Sequence, residues 1–170
     1  MQALWIFISG MIACAAAGGD SPPIAPSDQK ILSPNRKYYA FLDVRHKTTV
    51  VFEAGKHPVK RWEMAGWFAV PFLANDGDHL VVGNPGGNLL EPHAGPRETI
   101  IVLYERGHEV AAITLGQLVT KVDKLPRTES HVLWGNYLGF DEQNRFLVQT
   151  SEERTFALDP DGRLHEITAR

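Results

Sequence analysis

The chain has 170 residues, 44% hydrophobic and 22% charged, which is ordinary globular material. Its formal net charge of -3 argues against a nucleic-acid binder, which shows a basic face or stripe. A single cysteine excludes an internal disulfide and any multi-cysteine metal site.

In chain order, the first feature is the apolar run from Ala3 to Ala17 within MQALWIFISGMIACAAAGGD. A transmembrane helix needs about 20 residues, so this run is short for a span but has the length of a secretory h-region. The lone cysteine ends the stretch MIAC, which resembles a bacterial lipobox; the resemblance implies that Cys14 becomes the lipidated first residue. Ordinary cleavage after Ala15 or Ala17 is the alternative. Residues 1–17 are thus read as signal and lipobox, 18–30 as a Pro/Gly-rich linker, and 31–170 as one domain. The expected location is the cell envelope, periplasmic or on the outer surface. Residues 27–62 hold eight Lys/Arg against three acids, a net of +5, leaving -8 for the rest. Such a segment reads as solvated strand faces, or as a surface that meets anionic headgroups or an acidic partner.

In NRKYYAFLDVR, Tyr38, Ala40, Leu42 and Val44 alternate with Tyr39, Phe41, Asp43 and Arg45, the period of a strand. Pro34 and Asn35 set a turn before it. The same Asn/Asp turn and apolar strand return at LANDGDHLVV and GFDEQNRFLVQ. A second element follows each: VVFEAGK, VLYERGH and FALDPDGR run a strand into a turn carrying Gly55, Gly107 or Gly162, where glycine accepts a positive φ. A third element precedes two of the turns, leading in from Trp67 and Trp134. Three copies of a strand-turn-strand-turn-strand unit predict an all-β chain. SPNRKYYAF resembles the signature of PD40 repeats, the β-propeller blades of TolB-like periplasmic proteins. The resemblance implies propeller-like antiparallel units. Three are too few for a closed ring of four to eight blades, so the stack is open or two copies complete one ring.

One helix is expected in TLGQLVTKVDKLP, about nine residues long. Leu115, Leu118, Val119 and Val122 share a face, Thr114 and Gln117 have capping-box spacing, and Pro126 marks the end.

Candidate chemistry is sparse. Seven histidines (46, 57, 79, 93, 108, 131 and 165) show no close pair of the kind that binds zinc. Ser130 and His131, as strand neighbours, are expected to face opposite ways, and no G-x-S-x-G elbow exists. NDGD and DPDG read as turns, because the remaining ligands of a calcium loop are absent. The stretch GNPGGNLLEPHAGPRE (83–98) reads as a long loop, with Asn88, His93 and Arg97 as recognition candidates. Trp62, Trp67, Trp134 and Tyr137 are candidates for an aromatic binding platform or for core, with Trp67 and Trp134 placed by the repeat for interblade packing. No cofactor or metal is expected. The sequence therefore reads as a non-catalytic binding or scaffolding module, contacting a protein partner or itself, with the membrane reached through a lipid anchor. The alternative is a hydrolase-like envelope enzyme whose site lies around the 83–98 loop.

Overall fold

The computed structural model describes residues 26–167. The leader and Cys14 lie outside the described residues. The fold is all-β, with antiparallel sheets and a single short helix, and the first strand begins at Gln29, just inside the expected linker.

Three four-stranded meanders follow one another as blades. Blade 1 holds β1 (Gln29–Leu32), β2 (Tyr38–Asp43), β3 (Thr48–Glu53) and β4 (Val59–Ala65). Blade 2 holds β5 (Pro71–Leu73), β6 (His79–Gly83), β8 (Thr99–Glu105) and β9 (His108–Thr114). Between β6 and β8, β7 (Leu89–Leu90) leaves the blade to pair with β10 (Val132–Leu133). Blade 3 holds β11 (Gly135–Phe140), β12 (Phe146–Thr150), β13 (Thr155–Leu158) and β14 (Leu164–Ile167). The expected three-strand unit is therefore the inner part of a four-strand blade. Its outer strand escaped the pattern because β4, with Lys60, Arg61 and Glu63, is polar and largely exposed.

Period-2 alternation decides what each blade buries. One face of blade 1 (Ala40, Leu42, Val51 and Trp62) packs on Leu73 and Leu80 of blade 2. The opposite face of blade 2 (Val81, Ile101, Leu103 and Ile113) packs on Phe146, Val148, Phe156 and Leu158 of blade 3. The two cores are separate, so the blades stand in a row and blades 1 and 3 share none.

The three Asn/Asp turns lie at equivalent places, between the first and second strand of each blade. Each closes by an N–H bond three residues back: Arg36 to Ser33 O (2.9 Å), Gly77 to Ala74 O (3.2 Å) and Asn144 to Asp141 O (3.2 Å). The donor residue has positive φ each time, at 59°, 72° and 59°. Asparagine and glycine adopt this region readily. Replacing Gly77 would also drive a Cβ into the Tyr38 ring.

These turns touch in sequence. Asn35 donates its N–H to Asn75 Oδ1 (2.7 Å) and its amide Nδ2 to Asn75 O (2.8 Å). Asn75 in turn donates its N–H to Asn144 Oδ1 (2.9 Å) and its Nδ2 to Asp141 O (3.2 Å). One backbone and one amide donor meet one side-chain and one backbone acceptor at both junctions.

The second set of turns, between third and fourth strands, grips the preceding blade. A Cβ at Gly107 would lie 3.1 Å from Met64 Cβ of β4, and one at Gly162 would lie 3.0 Å from Ala111 Cβ of β9. Both glycines have φ of 86°. Gly55 does not take a positive φ, contrary to expectation, and a Cβ there would meet nothing within 4 Å. Blade 1 has no preceding blade among the described residues.

The helix is shorter than expected. It spans one turn, Leu115–Leu118, with Gln117 Oε1 accepting from the Thr114 N–H at 2.8 Å. Val119 is already extended (φ -119°, ψ 130°), and a single 3-10 turn follows at Val122–Lys124. β-branched Val119 and Thr120 lose rotamer freedom in a helix and favour strand geometry. Leu115, Leu118 and Val119 are nonetheless buried, as their spacing implied.

Two predictions follow from the turns. Asn75→Ala removes the Oδ1 acceptor and Nδ2 donor, leaving the Asn35 N–H unpaired and Asp141 O with only the Asn144 N–H. A loss of about 2 kcal/mol is expected in urea unfolding, with no change in m-value. The second concerns pH. Asp76 Oδ2 and His79 Nδ1 are 2.8 Å apart, and this hydrogen bond raises the His79 pKa. Burial alone would raise Asp76, but the bonds from His79 and from the Asp78 and His79 N–H groups leave it lowered. A raised His pKa stabilises fully below its unfolded value of about 6.5 and loses that stabilisation as pH rises through the folded pKa. Thermal melts should therefore fall between pH 6 and 8. His79→Gln should flatten that slope, leaving the smaller contribution of the exposed His46–Asp43 pair.

Candidate functional site

In a meander, successive turns alternate between the two ends of the sheet. The tight turns just described all lie at one end. The other end carries the long connections: the 84–98 loop, and the links 66–70 and 115–134 that join the blades. Trp67 and Trp134 occupy these two links, so their equivalence in the repeat holds in the fold.

An open groove of about 480 Å³ lies at this long-connection end. Trp67 and Phe68 come from the first link, Val82 to Pro85 from the end of β6, and Glu98 to Ile100, Val102 and Tyr104 from β8 and the residue before it. Alternation of β8 aims Val102 and Tyr104 toward blade 1, where they complete the wall with the two link aromatics. Phe68 and Tyr104 rings lie 6.2 Å apart. Burial raises the Tyr104 pKa, with Glu109 adding to the effect, so its hydroxyl stays neutral.

Three ties fix the groove's frame. Trp67 Nε1 donates to Ser27 O (2.9 Å), which pins the start of the described chain beside the first link. Asn84 Nδ2 donates to Glu98 Oε1 (3.2 Å) and Thr99 O (3.2 Å), joining the two stems of the long loop. The third reaches across from blade 3. Tyr137 OH accepts from the Asn84 N–H (2.8 Å) and donates to Ile100 O (2.8 Å). Burial pushes its pKa up to about 12. Gly83 makes room for it, since a Cβ there would sit 2.8 Å from the Tyr137 ring.

Comparison of the chain with family models, with curated proteins and with solved structures finds no match to any of them. The groove is thus read from its own chemistry.

The candidates from the sequence separate. Trp67 lines the groove, together with the two ends of the 83–98 loop. Trp134 is wholly buried, and its Nε1 donates to Gly87 O at 2.9 Å, so it holds the loop down from beneath. Asn88 is exposed, and its carbonyl accepts from the Trp134 N–H at 3.3 Å. His93 and Arg97 are exposed on short turns of the same loop and do not line the groove. The loop itself is stitched to blade 3 by the β7–β10 pair, with Leu90 and Val132 buried.

Ser130 and His131 lie in a turn rather than on a strand, and His131 Nδ1 is 2.8 Å from Ser130 Oγ. The opposite-faces expectation fails there because strand alternation does not operate in a turn. Neither residue lines the groove, so the convergence of His93, His131 and a carboxylate that an envelope enzyme would need is not seen there. Among the described residues no group of three or more His, Cys, Asp or Glu is placed to hold a metal ion. Sequence reasoning missed Asn84, Glu98 and Tyr104, and marked Tyr137 as an aromatic without its hydrogen-bonding role. The partners of Asn84 and Tyr137 lie 14 to 53 residues away, and no local pattern encodes such distances.

Tyr137→Phe tests the frame. It removes the hydroxyl shared by the Asn84 N–H and the Ile100 carbonyl, which keep only their own 3.0 Å bond to each other, at a cost of about 1 kcal/mol. Amide exchange at Asn84 should speed up, while the blade 1 strands keep their protection.

Proposed function

We propose that the chain is a non-catalytic binding module of the cell envelope, exported and held at a membrane through Cys14. The sequence supports the location, through the apolar leader, the lipobox-like stretch and the Pro/Gly-rich tether that follows. The binding role rests chiefly on the groove. Trp67, Phe68 and Tyr104 give it aromatic walls, Val82, Ile100 and Val102 an apolar floor, and Glu98 a carboxylate at the rim. Glu98 is the one carboxylate in the lining, and no Lys, Arg or His joins it. Aromatic faces and an acid attract a cation with an apolar body. The reading is that the groove takes such a group, as a Lys or Arg side chain of a protein partner presents it.

Ligand-observed NMR with benzylamine and benzoate as matched probes tests this. Benzylamine should bind weakly, in the millimolar range, and benzoate not at all. Glu98→Gln should remove most of the difference while keeping the fold. Equal binding of both probes to the wild type, or of neither, would count against the cationic reading.

A further inference from the structure

The free face of blade 1 has the chemistry of a buried one. Register aligns the blades through their turns: Tyr39 and Phe41 of β2 occupy the places of Leu80 and Val82 in β6, and of Phe146 and Val148 in β12. Their β3 partners Phe52 and Val50 match Tyr104 and Val102, and Leu158 and Phe156. In blades 2 and 3 these residues pack on the preceding blade. In blade 1 they face outward: Phe41 is 37% exposed, Leu32 beside them is 50% exposed, and Tyr39 stacks on Phe52 at 5.1 Å with Lys30 Nζ 4.0 Å from its ring centre.

The matching face at the opposite end is partly open: Leu147 is half-buried and Ala157 buried, with Gln149 beside them exposed. Leu147 and Ala157 of blade 3 stand where Ala40 and Val51, and Val81 and Leu103, form interblade cores. On blade 3 this face has no following blade among the described residues. The turns agree. Gly107 and Gly162 each grip the outer strand of the blade before, whereas a Cβ at Gly55 of blade 1 would meet nothing within 4 Å. Charge separates the two ends too. Residues 29–65 carry eight Lys/Arg and three Asp/Glu, a net of +5; residues 135–167 carry three Arg and seven Asp/Glu, a net of -4.

We propose that a second copy of this chain covers both faces. Blade 1 of each copy packs on blade 3 of the other, the same contact that joins blades 1 to 2 and 2 to 3, and the pair closes into a six-bladed ring. The Gly55 turn then reaches β14 of the partner, and the basic blade meets the acidic one. A head-to-tail contact that closes after two copies makes a two-fold ring with two identical interfaces. Six blades fall within the range of closed propellers. These surfaces are distinct from the groove, so the two readings stand or fall separately.

Sedimentation and native mass spectrometry on the full chain test this, with paired variants. The wild type should be a dimer that weakens several-fold as salt rises from 50 mM to 500 mM. Phe41→Asp on blade 1 and Leu147→Asp on blade 3 should each give a folded monomer. An equimolar mixture of the two should recover dimer, because one of its two interfaces, between the unaltered blade 1 and the unaltered blade 3, is intact. Should Leu147→Asp lose its fold, exposed Gln149→Arg on the same face replaces it. A monomeric wild type overturns the proposal, whether residues 1–25 or a different protein covers the face. A dimer broken by Phe41→Asp but indifferent to the blade 3 variants overturns it too, as that contact joins blade 1 to blade 1. Open-ended oligomers exclude closure.

Discussion

Asn75 is the residue on which the blade arrangement turns. A sheet face alone fixes what it packs against but not how far two sheets splay. At the tight-turn end, Asn75 accepts from one neighbouring turn and donates to the other, so the three turns form one hydrogen-bonded line. Buried or half-buried polar groups need partners, and here each turn supplies those of the next. Farther from the axis, Trp62 Nε1 donates to Gly77 O at 2.8 Å. Arg61 (3.3 Å) and Arg106 (2.7 Å) both reach Asp78, whose pKa is lowered chiefly by the Arg106 bond. Blades 1 and 2 are thus held at two radii, with the apolar core between.

That constraint leaves the other end free to vary. Tight turns of four or five residues must be near-identical to meet at one line, whereas the long connections answer to no such rule. The 84–98 loop, the aromatic link at Trp67 and the polar stems at Asn84 and Glu98 all lie there, and they form the groove. Even so, the groove borrows rigidity from the ordered fold. Tyr137 belongs to blade 3 but ties together two backbone groups of blade 2 at the groove's edge. Binding surfaces built on such supported frames lose less freedom when a ligand arrives.

Much of the fold was legible because it depends on short-range rules. Alternation in Tyr38–Asp43 and His79–Gly83, and the Asn, Asp and Gly turns before them, mark strands and their ends locally. The outer strands β4, β9 and β14 were less legible, because an exposed edge strand needs no apolar period and blunts itself with charge. The helix was overcalled, since the apolar spacing of Leu115 to Val122 is satisfied by one turn followed by extended chain. The groove was legible only in part. Trp67 marked it, but the pairing of Asn84 with Tyr137 is a property of the assembled blades. Trp134 carried the same sequence signal as Trp67 and serves packing instead; the depth of each link decides the difference.

The central claim is that the turns form a single line through Asn75, and amide exchange measured by NMR tests it directly. The Asn35 N–H sits in an exposed turn, where an unpaired amide exchanges within seconds. The account predicts that Asn35 and Asn75 amides exchange as slowly as those of β2 and β6, because each donates to a side-chain oxygen of the next turn. Exchange of both at the rate of an open loop would contradict the account, since no other hydrogen bonds among the described residues join all three turns.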